Sequence, residues 1–228
     1  MSRRWPFVLA ALAALLAGVT RPIAGKADEG FPTWVFPVRF HFPWRAGEGP
    51  IDETEVETEL DRANAIFASA GIAFAPSRPA IRLDASAPRA ARTRDDRDVL
   101  VRSGSGPEVH VFVVDELLDI DEADRRRMGV HWRVRNDHAR HGILLASYAP
   151  PTVLAHELGH YFGNPHAHAP DDLMSYVRTG MRAPFLSAPE IRRARAAAER
   201  YAASGEIRPL NRARSPGSAR PSTPGSRR

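Results

Sequence analysis

An α+β fold is predicted from three features of the sequence. Five short segments are rich in Val, Ile, Phe and Trp and are bounded by turn-forming residues, the mark of strands. Three longer segments carry apolar residues at helical spacing, or good helix formers behind a start signal. The two kinds of segment are interleaved along 228 residues, a length that suits one domain with appendages.

The elements follow in order. Residues 34–42 alternate and are rich in Val, Phe and Trp, so they read as a strand. Across residues 52–70, Val56, Leu60, Ala63, Ile66 and Phe67 fall on one helical face. Gly71 ends that helix and residues 72–75 begin a second strand. Residues 76–106 mix Pro, Ser, Arg and Asp and form a long connection, with a short helix expected near 95–102. Residues 108–114 (EVHVFVV) are a third strand, a weaker one follows at 129–134 and another at 142–147. Pro150 and Pro151 suit the first turn of a helix that runs to about Phe162, where Gly163 closes it. Ser187-Ala188-Pro189-Glu190 is a capping-box pattern opening a last helix to about Ser204. No internal repeat is visible.

Charge separates the ends from the body. The formal charge is +5, but residues 1–27 carry four positive charges and residues 212–228 carry five, neither with any acid. Removing these leaves −4 for residues 28–211. A nucleic-acid partner is therefore not expected, because a binder would carry its basic stripe on the folded part. The absence of cysteine excludes disulfides, thiolate catalysis and cysteine-ligated metal. Arg3 and Arg4 precede a 13-residue apolar run from Phe7 to Val19, short for a membrane span, and Gly25-Lys26-Ala27 suits signal-peptide cleavage, with an uncleaved N-terminal anchor as the alternative. The expected organisation is thus a signal peptide at 1–27, a catalytic domain at 28–205 and a disordered basic Pro/Ser/Arg tail at 206–228. A secreted monomer with no stable membrane span after cleavage is expected. Only Asp28 to Thr33 would then precede the first strand, too few residues for a pro-domain.

The chemistry concentrates in His156-Glu157-Leu158-Gly159-His160-Tyr161-Phe162-Gly163-Asn164-Pro165-His166. On a helix, His156 and His160 lie one turn apart on one face and both reach one metal ion. Glu157 beside them suits a general base. A catalytic zinc takes three protein ligands and keeps one open position. Gly163 lets the chain turn sharply, so that His166 returns as the third ligand.

This segment resembles the metzincin signature H-E-x-x-H-x-x-G-x-x-H at every fixed position. Asp172-Leu173-Met174-Ser175-Tyr176 looks like the methionine turn that follows it, with Met174 as its methionine. The resemblance covers roughly residues 33–204, with 156–176 its diagnostic part. It implies a twisted five-stranded mixed sheet with two main helices in an N-terminal subdomain, and a small C-terminal subdomain with a terminal helix. It further implies a zinc endopeptidase with Zn2+ on His156, His160 and His166, Glu157 as catalytic base and Tyr176 near the metal, acting on protein or peptide substrate. By the same resemblance, substrate lies along the strand near 129–134. The wall of the neighbouring pocket falls to residues 176–186, which carry no readable pattern.

Other residues read more plainly. His166 rather than His168 fits the ligand spacing, and His131, His138 and His141 read as surface histidines. The acidic stretch 115–124 lacks the carboxylate spacing of a calcium loop and reads as a solvated turn. Two other classes compete with a peptidase. A non-catalytic zinc module has no use for Glu157, and a basic surface-binding protein conflicts with the net negative body.

Overall fold

A computed structural model of the chain describes residues 34–47, 53–122 and 124–211. The expected signal segment 1–27, the stretch 28–33 and the tail from 212 lie outside the described residues. Strand β1 (Trp34–Phe42) is followed by α1 (Glu53–Phe67), a single 3-10 turn and β2 (Ile72–Pro76). The connection 76–106 holds two-residue strands β3 (Ile81–Arg82) and β4 (Ala90–Ala91), then α2 (Arg94–Ser103). Next come β5 (Val109–Val114), β6 (Glu116–Leu117), β7 (Gly129–Val134), β8 (Asp137–Ala146), α3 (Thr152–Tyr161) and α4 (Ala188–Ser204). The fold is α+β with a mixed sheet and four helices.

The five strands expected from sequence form the main path, in the order β2-β1-β5-β8-β7. β3 adds a sixth strand against the end of β1, and β4 pairs with β6 apart from this sheet. These three were missed because two residues cannot show alternation. β1, β2, β5 and β8 run parallel, whereas β7 is antiparallel to β8 and lies at the edge.

Both sheet faces are covered, which explains why all six residues of β5 are buried. Alternate residues divide between two cores. Val109, Val111, Ile143 and Leu145 face α1, α3 and α4, with Phe36, Phe67, Phe74 and Phe162 packed among them. Phe112, Val114, Leu144 and Ala146 face α2 through Leu100 and Val101. Fully burying one such side chain contributes about 1.5–3 kcal/mol. Trp132 Nε1 donates to Asp98 at 2.7 Å, which ties the edge strand to α2.

Helix signals are realised locally. Gly71 (φ 65°) and Gly163 (φ 87°) take the left-handed backbone that closes a helix. Glu190 accepts the Ser187 amide at 2.8 Å at the start of α4. Residues 206–211 depart from the tail expectation. Ile207 is buried, Leu210 donates its amide to the Val35 carbonyl at 2.8 Å, and Asn211 accepts the Val35 amide at 2.7 Å. One apolar side chain anchors a stretch whose composition otherwise reads as solvated. No helix among the described residues is long and apolar enough to cross a membrane.

Candidate metal centre and cleft

Helix α3 is buried along most of its length and brings His156 and His160 to one face. Each imidazole is oriented through Nδ1. His156 Nδ1 donates to the Leu173 carbonyl at 2.7 Å, and His160 Nδ1 donates to the Asn164 carbonyl at 2.8 Å. Both Nε2 atoms are thereby left as lone-pair donors. Beyond the Gly163 turn, His166 returns its Nε2 to 3.0 Å from His160 Nε2. The three ligand nitrogens lie within 4.8 Å of one another.

This arrangement fits a zinc ion. His156 Nε2 is buried and has no hydrogen-bond partner, a costly state for a polar atom that nothing engages. Two imidazole nitrogens face each other at 3.0 Å, close to the ~3.3 Å separation that tetrahedral ligation at ~2.0–2.1 Å imposes. Burial lowers the pKa of all three histidines, that of His160 to about 4. They are therefore neutral at neutral pH, the form that ligates. His168 is exposed and outside the cluster.

The turn expected at Met174 forms the floor. Met174 is fully buried, and a Cβ on Gly159 would stand 2.3 Å from its sulfur. A glycine within the helix is therefore what admits the methionine. The same turn orients the ligands. The Leu173 carbonyl holds His156, while the Met174 carbonyl accepts the Ala167 amide beside His166 at 3.0 Å. Asn164 is a contributor that sequence reasoning did not assign. It is buried, its carbonyl orients His160, and its side chain accepts Arg193 Nε from α4 at 3.1 Å.

Glu157 is buried at the floor of a cleft of about 660 Å³ between α3 and β7, whose wall includes His131, His160, His166 and Tyr176. Its Oε2 accepts the His131 amide at 2.8 Å. Burial pushes its pKa up to about 7, against the lowering pull of the His131 N–H and the Arg127 charge. Gly129 makes this approach possible, since a Cβ there would meet Val153 Cγ1 at 2.6 Å and Glu157 Cγ at 2.8 Å. Tyr176 is 70% exposed, and its hydroxyl lies 2.8 Å from His166 Nε2.

Two readings of single residues need correction. His141 is buried and His131 half-buried. His131 Nε2 and His141 Nδ1 are 2.8 Å apart, and His141 Nε2 is 2.6 Å from Glu206. Glu206 supplies a partner that a sequence window around the histidines cannot reveal. The acidic stretch is not simply solvated either. Asp115 pairs with Arg45 and Arg89, Glu116 with Arg92, and the buried Asp119 with Arg127.

No model of a known protein family matches the chain, and no curated protein does. Solved structures do. Metalloproteinase-II from Bacteroides fragilis superposes with a TM-score of 0.51 at 13% identity, over 74% of this chain and 55% of that one. The chain thus spans little more than half of that protein's length. Mature mirolysin from Tannerella forsythia, in complex with a cleaved peptide, superposes with a TM-score of 0.52 at 12% identity, over 72% of this chain and 91% of that one. The fold is therefore that of these metalloproteinases. His156, His160 and His166 form a cluster able to bind zinc, and the segment carrying them fits the metzincin signature.

Proposed function

We propose that the protein is a secreted zinc endopeptidase. One observation carries the reading: three neutral imidazoles converge beside a buried carboxyl group, along an edge strand open to a cleft. A purely structural zinc site needs the first feature alone.

His156, His160 and His166 would hold the ion. When bound, zinc supplies Lewis-acid polarisation of the scissile carbonyl and lowers the pKa of its water towards ~7. Glu157 does the proton work. The His131 amide fixes Oε2, so Oε1 is the atom left to take a proton from the attacking water and return it to the leaving amine. A pKa near 7 suits both halves of that exchange. The Tyr176 hydroxyl, exposed and adjacent to His166, donates to the developing oxyanion. Substrate adds to β7 as an extended strand and is held by its backbone. Secretion rests on the basic and apolar pattern of residues 1–27.

The test is zinc content and hydrolysis of denatured casein by the wild-type chain and by Glu157→Ala. Metal in both and hydrolysis only by the wild type is the expected result. Equal proteolysis by the two would end this mechanism. Metal without hydrolysis in either would favour a zinc-binding module.

A further inference from the structure

A second cavity, of about 300 Å³, also reaches Glu157 and opens between the N-terminal half of α3, the segment 125–129 and residues 175–178. Four arginines line it: Arg125, Arg126, Arg127 and Arg178. Among the described residues Glu157 is the only acid in its wall. Three of the arginines have carboxylate partners outside the cavity. Arg127 pairs with Asp119, Arg125 with Glu122 at 3.2 Å, and Arg126 with Glu116 at 3.7 Å. Glu116 is shared, since it also takes Arg92 at 2.7 Å. Arg178 differs. Its guanidinium donates to the carbonyls of Ser175 at 2.6 Å, Asp172 at 2.9 Å and Leu173 at 3.2 Å. Among the described residues it has no carboxylate partner, and its Nε–H is not used by these bonds.

The carbonyl bonds hold Arg178 in place, and Asp171, whose pKa the Arg178 charge helps to lower, lies near it without forming an ion pair. A fixed guanidinium with a spare N–H is suited to a carboxylate, because charge-assisted bonds from a planar donor are among the strong ones. The same wall repels a lysine or arginine side chain. Resting on the peptidase reading of His156 and Glu157, we propose that this pocket binds a substrate carboxylate next to the scissile bond, with Arg178 as its main contact. The enzyme then selects aspartate or glutamate at a position flanking the bond, or a chain-terminal carboxylate there.

The experiment uses the zinc-loaded chain and a matched set of quenched peptides with amidated ends. Each carries Glu, Gln or Lys at one of the two positions flanking the bond. At one position Glu is expected to exceed Gln in kcat/KM by roughly 10- to 100-fold, the value of a charge-assisted hydrogen bond, with Lys poorest. The margin should shrink as salt is raised, because exposed arginines are screened. Arg178→Gln should erase it and Arg178→Lys should keep part of it. Arg178 braces the methionine turn, so zinc content is checked in each variant. Arg126→Glu, on a side chain exposed to solvent, lowers the preference without touching that turn. A further set with a free carboxyl terminus one residue beyond the bond identifies the source. Preference for either form supports the pocket. Equal hydrolysis of Glu and Gln peptides, or a preference that survives Arg178→Gln, overturns it. If no peptide is cut, the peptidase reading fails separately, and the pocket is tested by fluorescence anisotropy on the same peptides. Tighter binding of the Glu peptide, lost in Arg178→Gln, supports it, and equal binding overturns it.

Discussion

The backbone amide of His131 donates to Oε2 of Glu157 at 2.8 Å. This bond joins the edge of the sheet to the buried acid of α3. The strand proposed to receive substrate is therefore the strand that sets the carboxylate. Gly129, two residues earlier, supplies the space for that carboxylate.

Gly129→Val should uncouple the two elements. Its branched side chain must displace Val153 or Glu157, which stand under 3 Å from a Cβ at that point. An ångström-scale misplacement of a catalytic group costs on the order of 10²-fold in rate. Since the atoms nearest such a Cβ belong to Val153 and Glu157 rather than to the three histidines, zinc content should be unchanged. Steady-state kinetics and metal analysis of the variant decide the matter, and near-normal kcat/KM would remove Gly129 from any positioning role.

The metal ligands and the base should separate cleanly. His156→Ala, His160→Ala and His166→Ala should each lower zinc content, because each removes one of three converging nitrogens. Glu157→Ala should retain zinc and lose hydrolysis by about 10²–10⁴-fold, the usual contribution of general acid–base catalysis. A Glu157→Ala protein as active as wild type would exclude Glu157 as the base.

Tyr176 should act on the transition state. Its hydroxyl is tied to His166 but otherwise faces solvent, so removing it leaves no buried group unpaired. Tyr176→Phe is expected to lower kcat by about 10–10³-fold with KM little changed. A variant with unaltered kcat would return the residue to a structural role.

How much of this was legible in sequence depends on how local each relationship is. His156, Glu157, His160 and His166 lie within one helix and its exit turn, so spacing alone brings them together. The edge position of β7 came from resemblance, and the strand order agrees with it. Arg178 was not legible as a pocket residue. It lies in a loop whose path is set by carbonyls of the methionine turn, with no period to read. His141 was read as a surface residue because its partner, Glu206, is 65 positions away. Residues 206–211 were assigned to the tail because one buried isoleucine is a weak signal among Arg, Pro and Asn.

The pair His41 and His110 was not singled out in sequence, and it yields the last prediction. The two rings sit on neighbouring strands β1 and β5, with His41 Nε2 3.0 Å from His110 Nδ1. Of their outer nitrogens, His41 Nδ1 is buried without a partner, and His110 is buried near the Gly106 carbonyl. Burial lowers both pKa values, that of His41 to about 3, helped by the neighbouring His110. In the unfolded chain each histidine titrates near 6.5. Between about pH 6.5 and 3 the unfolded state therefore binds more protons than the folded one. Stability must then fall as pH drops through that interval and be fully present above it. His131 and His141 are lowered by burial in the same direction, so the whole set makes the fold acid-sensitive. Chelated protein is the right sample, because protonation of the zinc ligands would add a loss of metal to the signal. Thermal unfolding followed by circular dichroism should show Tm falling between pH 7 and 4, more steeply below about 4.5, because Glu157, whose pKa burial raises to about 7, opposes the histidines above that point. The double variant His41→Leu/His110→Leu removes two titrating groups and the unpartnered His41 Nδ1, so its Tm should fall less over that range. Parallel curves for the two proteins would show that this pair takes no part in the acid response.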